Sequence, residues 1–252
     1  MNHLFDISGK KAIVTGGSQG LGRGMAEALL ESGCEVVLIA RSEEVMNVAE
    51  EYNKKGYQCH GAQGDFSKRE EVYSSFEKAL ELLGTVDILV TAAGIQRRYS
   101  AENFPIEDWD TVMRVNLDAV FIQCQLAGRV MLKKGYGKII NIASMASFFG
   151  GQTVPAYSAA KGGVAQLTKE LTNDWAGRGV CINAIAPGYM ATEMNTKIME
   201  NKERNEQISS RIPMGRWGRP DDMKGATIFL ASPASDYISG AILPVDGGYL
   251  IK

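Results

Sequence analysis

Short apolar runs alternate with longer amphipathic stretches along nearly the whole chain, and this alternation restricts the possible folds more than any other feature. The runs rich in Val, Ile and Ala are predicted strands: Lys11–Thr15, Glu35–Ala40, Gln58–Ala62, Asp87–Thr91, Lys138–Ala143, Cys181–Ala186 and Ala241–Val245. Several are apolar at consecutive positions, as strands covered on both faces are. The helical patterns between them are Leu21–Ser32, Glu43–Lys55, Lys68–Leu83, Glu107–Lys133 and Tyr157–Arg178. This order predicts an α/β fold, a doubly wound parallel sheet of about seven strands with helices on both faces.

The chain is predicted to form a single domain over residues 1–252. It contains no internal repeat, low-complexity stretch or linker rich in Pro and Gly that would divide it. The least regular segment, Gly188–Pro220, is polar and charged and follows the sixth predicted strand. An insertion beyond the carboxyl end of a strand is well placed to be a substrate lid; a surface excursion without function is the alternative.

The composition argues against several classes of partner. Lys and Arg number 27 and Asp and Glu number 29, so a formal charge of -2 offers no basic field for nucleic acid or an anionic membrane. The apolar runs are far shorter than the roughly 20 residues that span a bilayer, and no signal peptide is visible. The four cysteines have neither zinc nor disulfide spacing. We therefore expect a cytoplasmic enzyme without a metal site.

A glycine-rich turn, T-G-x-x-x-G-x-G, joins the first predicted strand to the first predicted helix. Glycine lets the backbone turn sharply and approach a pyrophosphate, whose charge would meet the free N–H groups at the helix N-terminus. Glycines also form ordinary tight turns, and it is the position between strand and helix that favours cofactor binding. The predicted contacts in this turn are Gly16, Ser18, Gln19, Gly20, Leu21 and Gly22.

Tyr157 and Lys161 are spaced Y-x-x-x-K, one turn apart on the same face of a predicted helix. The ordinary pKa of a phenol is about 10, and a neighbouring ammonium group is expected to lower it. Such a tyrosine can donate a proton to a carbonyl oxygen or accept one from a hydroxyl. The pair alone could be a coincidence of a long helix. Ser144 adds a hydroxyl at the carboxyl end of the fifth predicted strand, where sites in such sheets form.

These motifs resemble those of the short-chain dehydrogenase/reductase family, and the resemblance extends over essentially the whole chain. It implies a Rossmann-type fold, a nicotinamide cofactor and four catalytic residues: Asn116, Ser144, Tyr157 and Lys161. Ser144 would hydrogen-bond the reacting oxygen, and Asn116 would connect the lysine to solvent through water. Lys161 would also hold the nicotinamide ribose, so Tyr157 and Lys161 count among the cofactor contacts. A local structural hydrogen bond is the alternative role of Asn116.

Four further segments carry cofactor contacts that the resemblance implies. The turn Thr91-Ala92-Ala93-Gly94 resembles the N-N-A-G motif of the family, with both asparagines replaced, and we expect the central sheet to tolerate that loss. Asp65 would meet the adenine amino group. The residues implied in these segments are Asp65, Ala93, Gly94, Pro187, Gly188 and Thr192.

The end of the second predicted strand bears on the choice between NAD and NADP. An acidic residue there would bind the ribose hydroxyls of NAD, whereas arginine accommodates the 2′-phosphate of NADP. Ala40 takes the position that is usually acidic in the NAD-dependent members, and Arg41 follows it. A solvated arginine is the alternative, and Gln19 stands where many NADP-dependent members have a basic residue. NADP(H) is therefore favoured, with NAD(H) as the second candidate.

Three stretches resemble the branch of the family that acts on sugar acids such as gluconate: residues 94–98, 185–192 and 212–218. An aldonate needs a cation for its carboxylate, and arginine can donate two parallel hydrogen bonds to it. Arg97 is the first candidate and Arg98 or Arg216 could serve instead; a structural salt bridge or subunit contact is at least as strong an interpretation of each. The predicted substrate contacts are Ser144, Tyr157, Arg97, Gln152 and Tyr189.

Two other functions are compatible with the same residues. A 3-oxoacyl-thioester reductase of fatty-acid synthesis would share the chemistry, and Arg97-Arg98 could form a basic patch for its acidic carrier protein. A non-catalytic NADP(H)-binding sensor is disfavoured because all four chemical positions are present. The resemblance also implies a homotetramer formed through the two long helices and the C-terminal strand region.

Overall fold

A computed structural model describes residues 3–252. Within these residues one sheet contains the strands β1 Lys11–Thr15, β2 Glu35–Ala40, β3 Gln58–Gln63, β4 Ile88–Thr91, β5 Gly137–Ile142, β6 Val180–Pro187 and β7 Ile242–Val245. Every predicted strand is present, with ends that differ by at most one residue. All neighbouring strands pair in parallel, in the order β3-β2-β1-β4-β5-β6-β7. The predicted α/β fold with a seven-stranded parallel sheet is confirmed.

The helices are α1 Gly20–Glu31, α2 Glu44–Lys54, α3 Arg69–Leu83, α4 Ile106–Met113, α5 Ala119–Lys134, α6 Pro155–Trp175, α7 Thr196–Glu200, α8 Lys202–Ser209 and α9 Lys224–Ala231. The predicted helix Glu107–Lys133 is interrupted by a π-helical turn at Arg114–Asp118, which joins α4 to α5. The helix α9 was not predicted, because its short apolar sequence KGATIFLA has no polar face to set a helical period.

Two hydrophobic layers, one on each face of the sheet, hold the helices in place. Consecutive strand residues point to opposite faces, so Ile13 packs in one layer and its neighbours Ala12 and Val14 pack in the other. One layer includes residues of α1, α2 and α9, and the other includes residues of α3, α5 and α6. This is why the strands are apolar at consecutive positions rather than alternating.

The segment predicted as a lid forms short helices rather than an irregular loop. It contains α7 and α8. A parallel bridge pairs Met190, near the start of the segment, with Gly218, near its end. Ile208, Ile212 and Trp217 are buried in a third hydrophobic cluster, together with residues of β6 and Tyr249. The segment is therefore packed against the carboxyl end of the sheet. Across residues 3–252, no helix combines the length and the apolar character needed to cross a bilayer.

Candidate active site

A cavity of about 410 Å³ lies at the carboxyl ends of the strands; we call it the central cavity. The strand order reverses between β1 and β4, and the loops that follow these strands diverge there and leave a crevice. Every residue predicted to contact the cofactor lines this cavity, as do Ser144 and Arg97. Asn116, Gln152 and Tyr189 do not line it. The fold therefore brings the predicted cofactor contacts, distant in sequence, to one place.

The glycine-rich turn has the shape that a pyrophosphate site requires. Gly16 has a φ of +67°, and a Cβ there would lie 2.8 Å from the Cα of Ala93. A Cβ on Gly22 would overlap the carbonyl oxygen of Gly16. Gly20 begins α1, which has no side-chain cap and no acidic residue in its first turn. The N-terminal N–H groups of the helix therefore remain available to an anion, and the turn fits a dinucleotide.

The adenosine end of the predicted cofactor site contains Arg41 and Asp65. Arg41 is exposed directly after β2, and its charge helps to lower the pKa of Asp65. Burial acts to raise the pKa of Asp65, but hydrogen bonds from the backbone and hydroxyl of Ser67, at 2.9 and 2.8 Å, outweigh it. Asp65 is thus held as a carboxylate that accepts hydrogen bonds at this end of the central cavity.

Tyr157 and Lys161 lie near the start of α6, opposite Ser144 at the end of β5. The Nζ of Lys161 is 5.8 Å from the centre of the Tyr157 ring and donates to the carbonyl oxygen of Ile142 at 2.6 Å. The hydroxyl of Tyr157 is within hydrogen-bonding reach of the Ser144 side chain. Three of the four predicted catalytic residues therefore meet at one wall of the central cavity.

The pKa values of this pair differ from the expectation based on spacing. Burial raises the pKa of Tyr157, and the Ser144 hydrogen bond and the charge of Arg98 offset only part of the rise. Burial also lowers the pKa of Lys161 to about 8. The prediction that the lysine lowers the pKa of the phenol is therefore wrong for the protein without cofactor or substrate. Removal of both groups from water has a larger effect than their mutual interaction.

Asn116 occupies the π-helical turn between α4 and α5. Its Oδ1 accepts from the backbone N–H of Ile95 at 2.9 Å, and its Nδ2 donates to the carbonyl of Ile95 at 2.8 Å. A Cβ on Gly94 would lie 3.4 Å from Oδ1 of Asn116 and 4.0 Å from Nζ of Lys161. The side-chain amide of Asn116 thus fixes the loop at Ile95 beside Lys161. It does so from a π-helical turn, a feature that is frequent at functional sites.

Ser147 is a structural contributor that the sequence reasoning missed. Its hydroxyl donates to the carbonyl of Lys161 at 2.7 Å and lies 3.3 Å from the backbone N–H of Ser144. The hydroxyl of Ser144 in turn accepts from the N–H of Ala146 at 3.1 Å. The S-x-x-S spacing at the start of a short helix was the available signal, since reciprocal capping uses residues three apart.

The turn after β4 lacks the two asparagines of the family motif, but a buried hydrogen-bond network is present there. The hydroxyl of Thr91 donates to Oδ1 of Asn141 at 2.9 Å, and Nδ2 of Asn141 donates to the hydroxyl of Thr168 at 3.0 Å. All three side chains are buried. This network ties β4 and β5 to α6, the helix that carries Tyr157, so a polar core contact remains where the family motif is changed.

The three candidate arginines have different surroundings. Arg97 lines the central cavity, and its guanidinium lies 3.3 Å from a carboxylate oxygen of Asp108. Arg216 makes two hydrogen bonds of 2.7 Å to Asp222, which is the structural ion pair that the alternative interpretation describes. Arg98 does not line the cavity; within residues 3–252 it has no carboxylate partner and donates to Oε1 of Gln96 at 2.8 Å.

The other two predicted substrate contacts lie outside the central cavity. Tyr189 packs against Trp217 and Tyr249, with ring centroids 5.4 and 5.1 Å apart. Gln152 is exposed and precedes Thr153. The prediction also missed four residues of the lid segment that line the cavity: Met190, Glu193, Met194 and Asn195. Met190 belongs to the stretch 185–192 that resembles the sugar-acid branch, but nothing in the sequence marks these four side chains as lining residues. The fold of the segment brings them to the cavity.

Comparison with known proteins defines the class. The family model described as Enoyl-(Acyl carrier protein) reductase matches residues 16–250, which is most of the chain. The chain belongs to the short-chain dehydrogenase/reductase family, a family of oxidoreductases.

Individual relatives are similar along their whole length. The chain is 46% identical over 252 residues to the 2-dehydro-3-deoxy-D-gluconate 5-dehydrogenase of Bacillus subtilis, with 100% of this chain and 99% of the relative covered. It is 39% identical to the gluconate 5-dehydrogenase of Gluconobacter oxydans, with both chains covered to 100%. A crystal structure of a gluconate 5-dehydrogenase from Burkholderia cenocepacia with NADP and tartrate superposes with a TM-score of 0.95 at 39% identity, over 99% of this chain and 98% of that one.

Proposed function

We propose that this chain is an NADP(H)-dependent dehydrogenase that interconverts a secondary alcohol and a ketone on a sugar acid. It would be of the gluconate 5-dehydrogenase or 2-deoxy-D-gluconate 3-dehydrogenase type. The observation that carries the proposal is the meeting of Tyr157, Ser144 and Lys161 in the same cavity as the glycine-rich turn. The names of the relatives support the sugar acid, and NADP in the Burkholderia structure supports the cofactor.

The nicotinamide cofactor supplies or accepts the hydride when it is bound. The N–H groups at the start of α1 would hold its pyrophosphate, and Lys161 would hold the nicotinamide ribose. During oxidation the proton of the substrate hydroxyl passes to the phenol oxygen of Tyr157, and during reduction it returns to the carbonyl oxygen. The hydroxyl of Ser144, whose oxygen accepts from the backbone N–H of Ala146, would donate its hydrogen to that reacting oxygen.

The protonation state of Tyr157 predicts opposite pH dependences for the two directions. Oxidation needs the phenolate and reduction needs the phenol, and burial raises the pKa of this group. We therefore expect kcat/KM for alcohol oxidation to rise with pH, by up to about tenfold per unit, and kcat/KM for ketone reduction to fall at high pH. Initial rates between pH 6 and pH 10 measure both. An oxidation rate that falls as the pH rises would exclude Tyr157 as the base.

Arg41 is proposed to bind the 2′-phosphate of NADP. It is the charged residue at the end of β2, it lines the central cavity, and a guanidinium suits a phosphate. We expect Arg41→Ala to lower the ratio of kcat/KM for NADPH to that for NADH by about 10- to 100-fold, because a charge-assisted hydrogen bond is lost. Arg41→Lys should keep part of the preference. An unchanged ratio in Arg41→Ala, or equal kcat/KM values in the parent, would refute the assignment.

The substrate class is tested with a panel of compounds. Gluconate, 2-deoxy-gluconate and their keto forms are compared with steroids and 3-oxoacyl thioesters, each with NADP(H) and NAD(H). Turnover of the sugar acids supports the proposal, and turnover of only the other two classes rejects it. The panel includes 3-oxoacyl thioesters because the matching family model is described as Enoyl-(Acyl carrier protein) reductase.

Arg98 is the arginine that we propose for the substrate carboxylate in place of Arg97. Arg97 already has Asp108 as a partner, whereas Arg98 has no carboxylate partner within residues 3–252 and donates to the neutral side chain of Gln96. Tartrate, which the Burkholderia relative binds, is itself a hydroxy acid with carboxylates. Gln152 and Tyr189 remain proposed contacts of the substrate hydroxyls, and residues 188–220 remain the proposed lid.

The assembly and the compartment are also proposals. We propose a homotetramer in the cytoplasm, as the resemblance to the family implies. Exposed apolar side chains on α4 and α5, Ile106 at 68% and Phe121 at 42%, are compatible with buried subunit contacts. Light scattering that shows a stable monomer at working concentration would contradict the tetramer.

A further inference from the structure

The residues that follow β7 form a compact turn, which we call the hook (residues 246–252). Gly247 and Gly248 both have a positive φ, +64° and +87°. The carboxylate of Asp246 accepts the backbone N–H of Gly248 at 2.9 Å and so holds this turn. A short 3-10 helix, Tyr249–Ile251, completes the hook. Its shape is therefore determined by its own backbone and by one carboxylate.

The hook packs against the later half of the lid segment. The backbone N–H of Met214 donates to the carbonyl oxygen of Gly247 at 3.1 Å. The two segments approach closely there, since a Cβ on Gly247 would lie 2.9 Å from Cγ2 of Ile212. The ammonium group of Lys252 donates to the carbonyl oxygen of Ser210 at 2.7 Å. The hook thus contacts the end of α8 and the residues after it.

The buried ring of Tyr249 connects three parts of the molecule that are distant in sequence. Its centroid lies 5.1 Å from that of Tyr189, at the start of the lid segment. The guanidinium carbon of Arg211, just after α8, lies 4.4 Å from the same centroid. Phe149, on the loop that follows Ser144, packs against the ring at 6.1 Å. One side chain therefore contacts both halves of the lid segment and the loop that begins at the catalytic serine.

The contacts of Tyr249 lead directly to the wall of the central cavity and to α8. Tyr189 lies between Gly188 and Met190, and both of these residues line the cavity. The indole ring of Trp217 packs against Tyr189 with centroids 5.4 Å apart. The Nε1 of this indole donates to Oδ1 of Asn205 on α8 at 2.9 Å. A loss of the Tyr249 ring would therefore loosen the cavity wall and α8 together.

An aromatic pair or a cation above a ring stabilises a protein only modestly, but here such contacts share one side chain and are lost together. We propose that Tyr249 is a positioning residue that holds the lid closed over the substrate end of the central cavity. The inference rests on the proposed function, which makes residues 188–220 a substrate lid. It goes beyond that function because it assigns control of substrate affinity to the hook, whose residues do not line the cavity.

The kinetic test replaces Tyr249 in the protein saturated with NADP⁺. Tyr249→Leu keeps an apolar side chain but removes the ring, and we expect KM for gluconate to rise by about tenfold, because apparent affinity falls with the fraction of closed lid. The kcat should change far less, since saturating substrate restores the closed state. Tyr249→Phe keeps the ring and should restore the parental KM. Steady-state rates with gluconate measure both constants.

A second measurement reports on the lid without any turnover. Lys197 on α7 and Lys202 at the start of α8 are exposed sites at which trypsin can cleave once the lid opens. In Tyr249→Leu we expect cleavage at these sites to be faster by about tenfold, because cleavage follows the population of the open form. Mass spectrometry of the fragments identifies the sites. Tyr237→Leu is the matched control: the same substitution at a fully exposed tyrosine should leave KM and cleavage at the parental values.

Arg211→Gln tests the same contact from the other side, should Tyr249→Leu fail to fold. Arg211 is exposed, and loss of its charge above the ring should raise KM for gluconate by about two- to fivefold and speed cleavage of the lid. Parental KM and parental cleavage in this variant and in Tyr249→Leu would refute the role of Tyr249. An equal rise of KM in Tyr249→Phe and Tyr249→Leu would refute it as well, because the ring would then not be the group that matters.

The two measurements separate this inference from the proposed function. If the parent oxidises gluconate and Tyr249→Leu speeds cleavage but leaves KM unchanged, the segment is not a substrate lid and the inference fails while the function stands. If the parent oxidises no sugar acid but cleavage depends on the ring of Tyr249, the proposed function fails and the hold of Tyr249 on the segment stands. A fall of kcat with unchanged KM in Tyr249→Leu would also contradict the inference.

Discussion

Replacement of Tyr157 by phenylalanine is expected to lower kcat by about 10²- to 10⁴-fold, the usual contribution of a positioned acid or base. The phenol is the group at the cavity wall that we propose to exchange a proton with the reacting oxygen, whereas Ser144 is proposed only to hydrogen-bond that oxygen. The ring would stay, so the packing at the start of α6 should be retained. Steady-state rates and the dissociation constant of NADPH, measured on the same preparation, separate chemistry from binding.

The control is Tyr73→Phe, which removes a phenol hydroxyl from an exposed tyrosine on α3. Its kcat and KM should match those of the parent. The assignment of Tyr157 would be wrong if Tyr157→Phe kept more than about a tenth of the parental kcat with unchanged pH dependence, because another acid would then serve the reaction. A large loss of NADPH affinity in the same variant would instead indicate that the hydroxyl mainly holds the cofactor.

Gly22→Ala is expected to weaken NADPH binding by about 100-fold or more. The added methyl group would overlap the carbonyl oxygen of Gly16, a backbone atom that cannot rotate away, and it would also lie 3.3 Å from Cβ of Ala92. This overlap is relieved only if the turn opens, and opening moves the N–H groups at the start of α1 away from the pyrophosphate. Overpacking of this kind costs about 1–3 kcal/mol or more, and about 2.7 kcal/mol corresponds to 100-fold in affinity.

Gly225→Ala is the matched control for that variant. Gly225 lies in α9, and a Cβ there would meet no heavy atom within 4 Å. Alanine is the better helix former, so the control should be as stable as the parent or slightly more stable, with unchanged affinity for NADPH. Fluorescence titration with NADPH and thermal unfolding distinguish a lost binding site from a lost fold. Parental affinity in Gly22→Ala would show that the turn does not hold the cofactor.

The boundaries of the strands were predictable because each is a local pattern. A run such as Glu35–Ala40 is short, apolar and bounded by polar turns, and these properties require no knowledge of the rest of the chain. The helix α9 was not predicted, because its apolar sequence shows no helical period. The order of the strands in the sheet was not predicted, because it is set by tertiary pairing.

The sequence by itself determined which chemical groups are available and where they lie in the chain. Spacing placed Tyr157 and Lys161 on one helical face, and the glycine pattern between β1 and α1 predicted a phosphate-binding turn, because both depend on the local geometry of the backbone.

Only the tertiary structure decided the environment of those groups. It showed that burial raises the pKa of Tyr157, that Arg97 has Asp108 as a partner, and that Lys161 donates to the carbonyl oxygen of Ile142. Burial, ion pairing and hydrogen bonding of this kind depend on how residues from different parts of the chain come together. A sequence pattern specifies spacing along the chain, whereas these effects depend on distance in space.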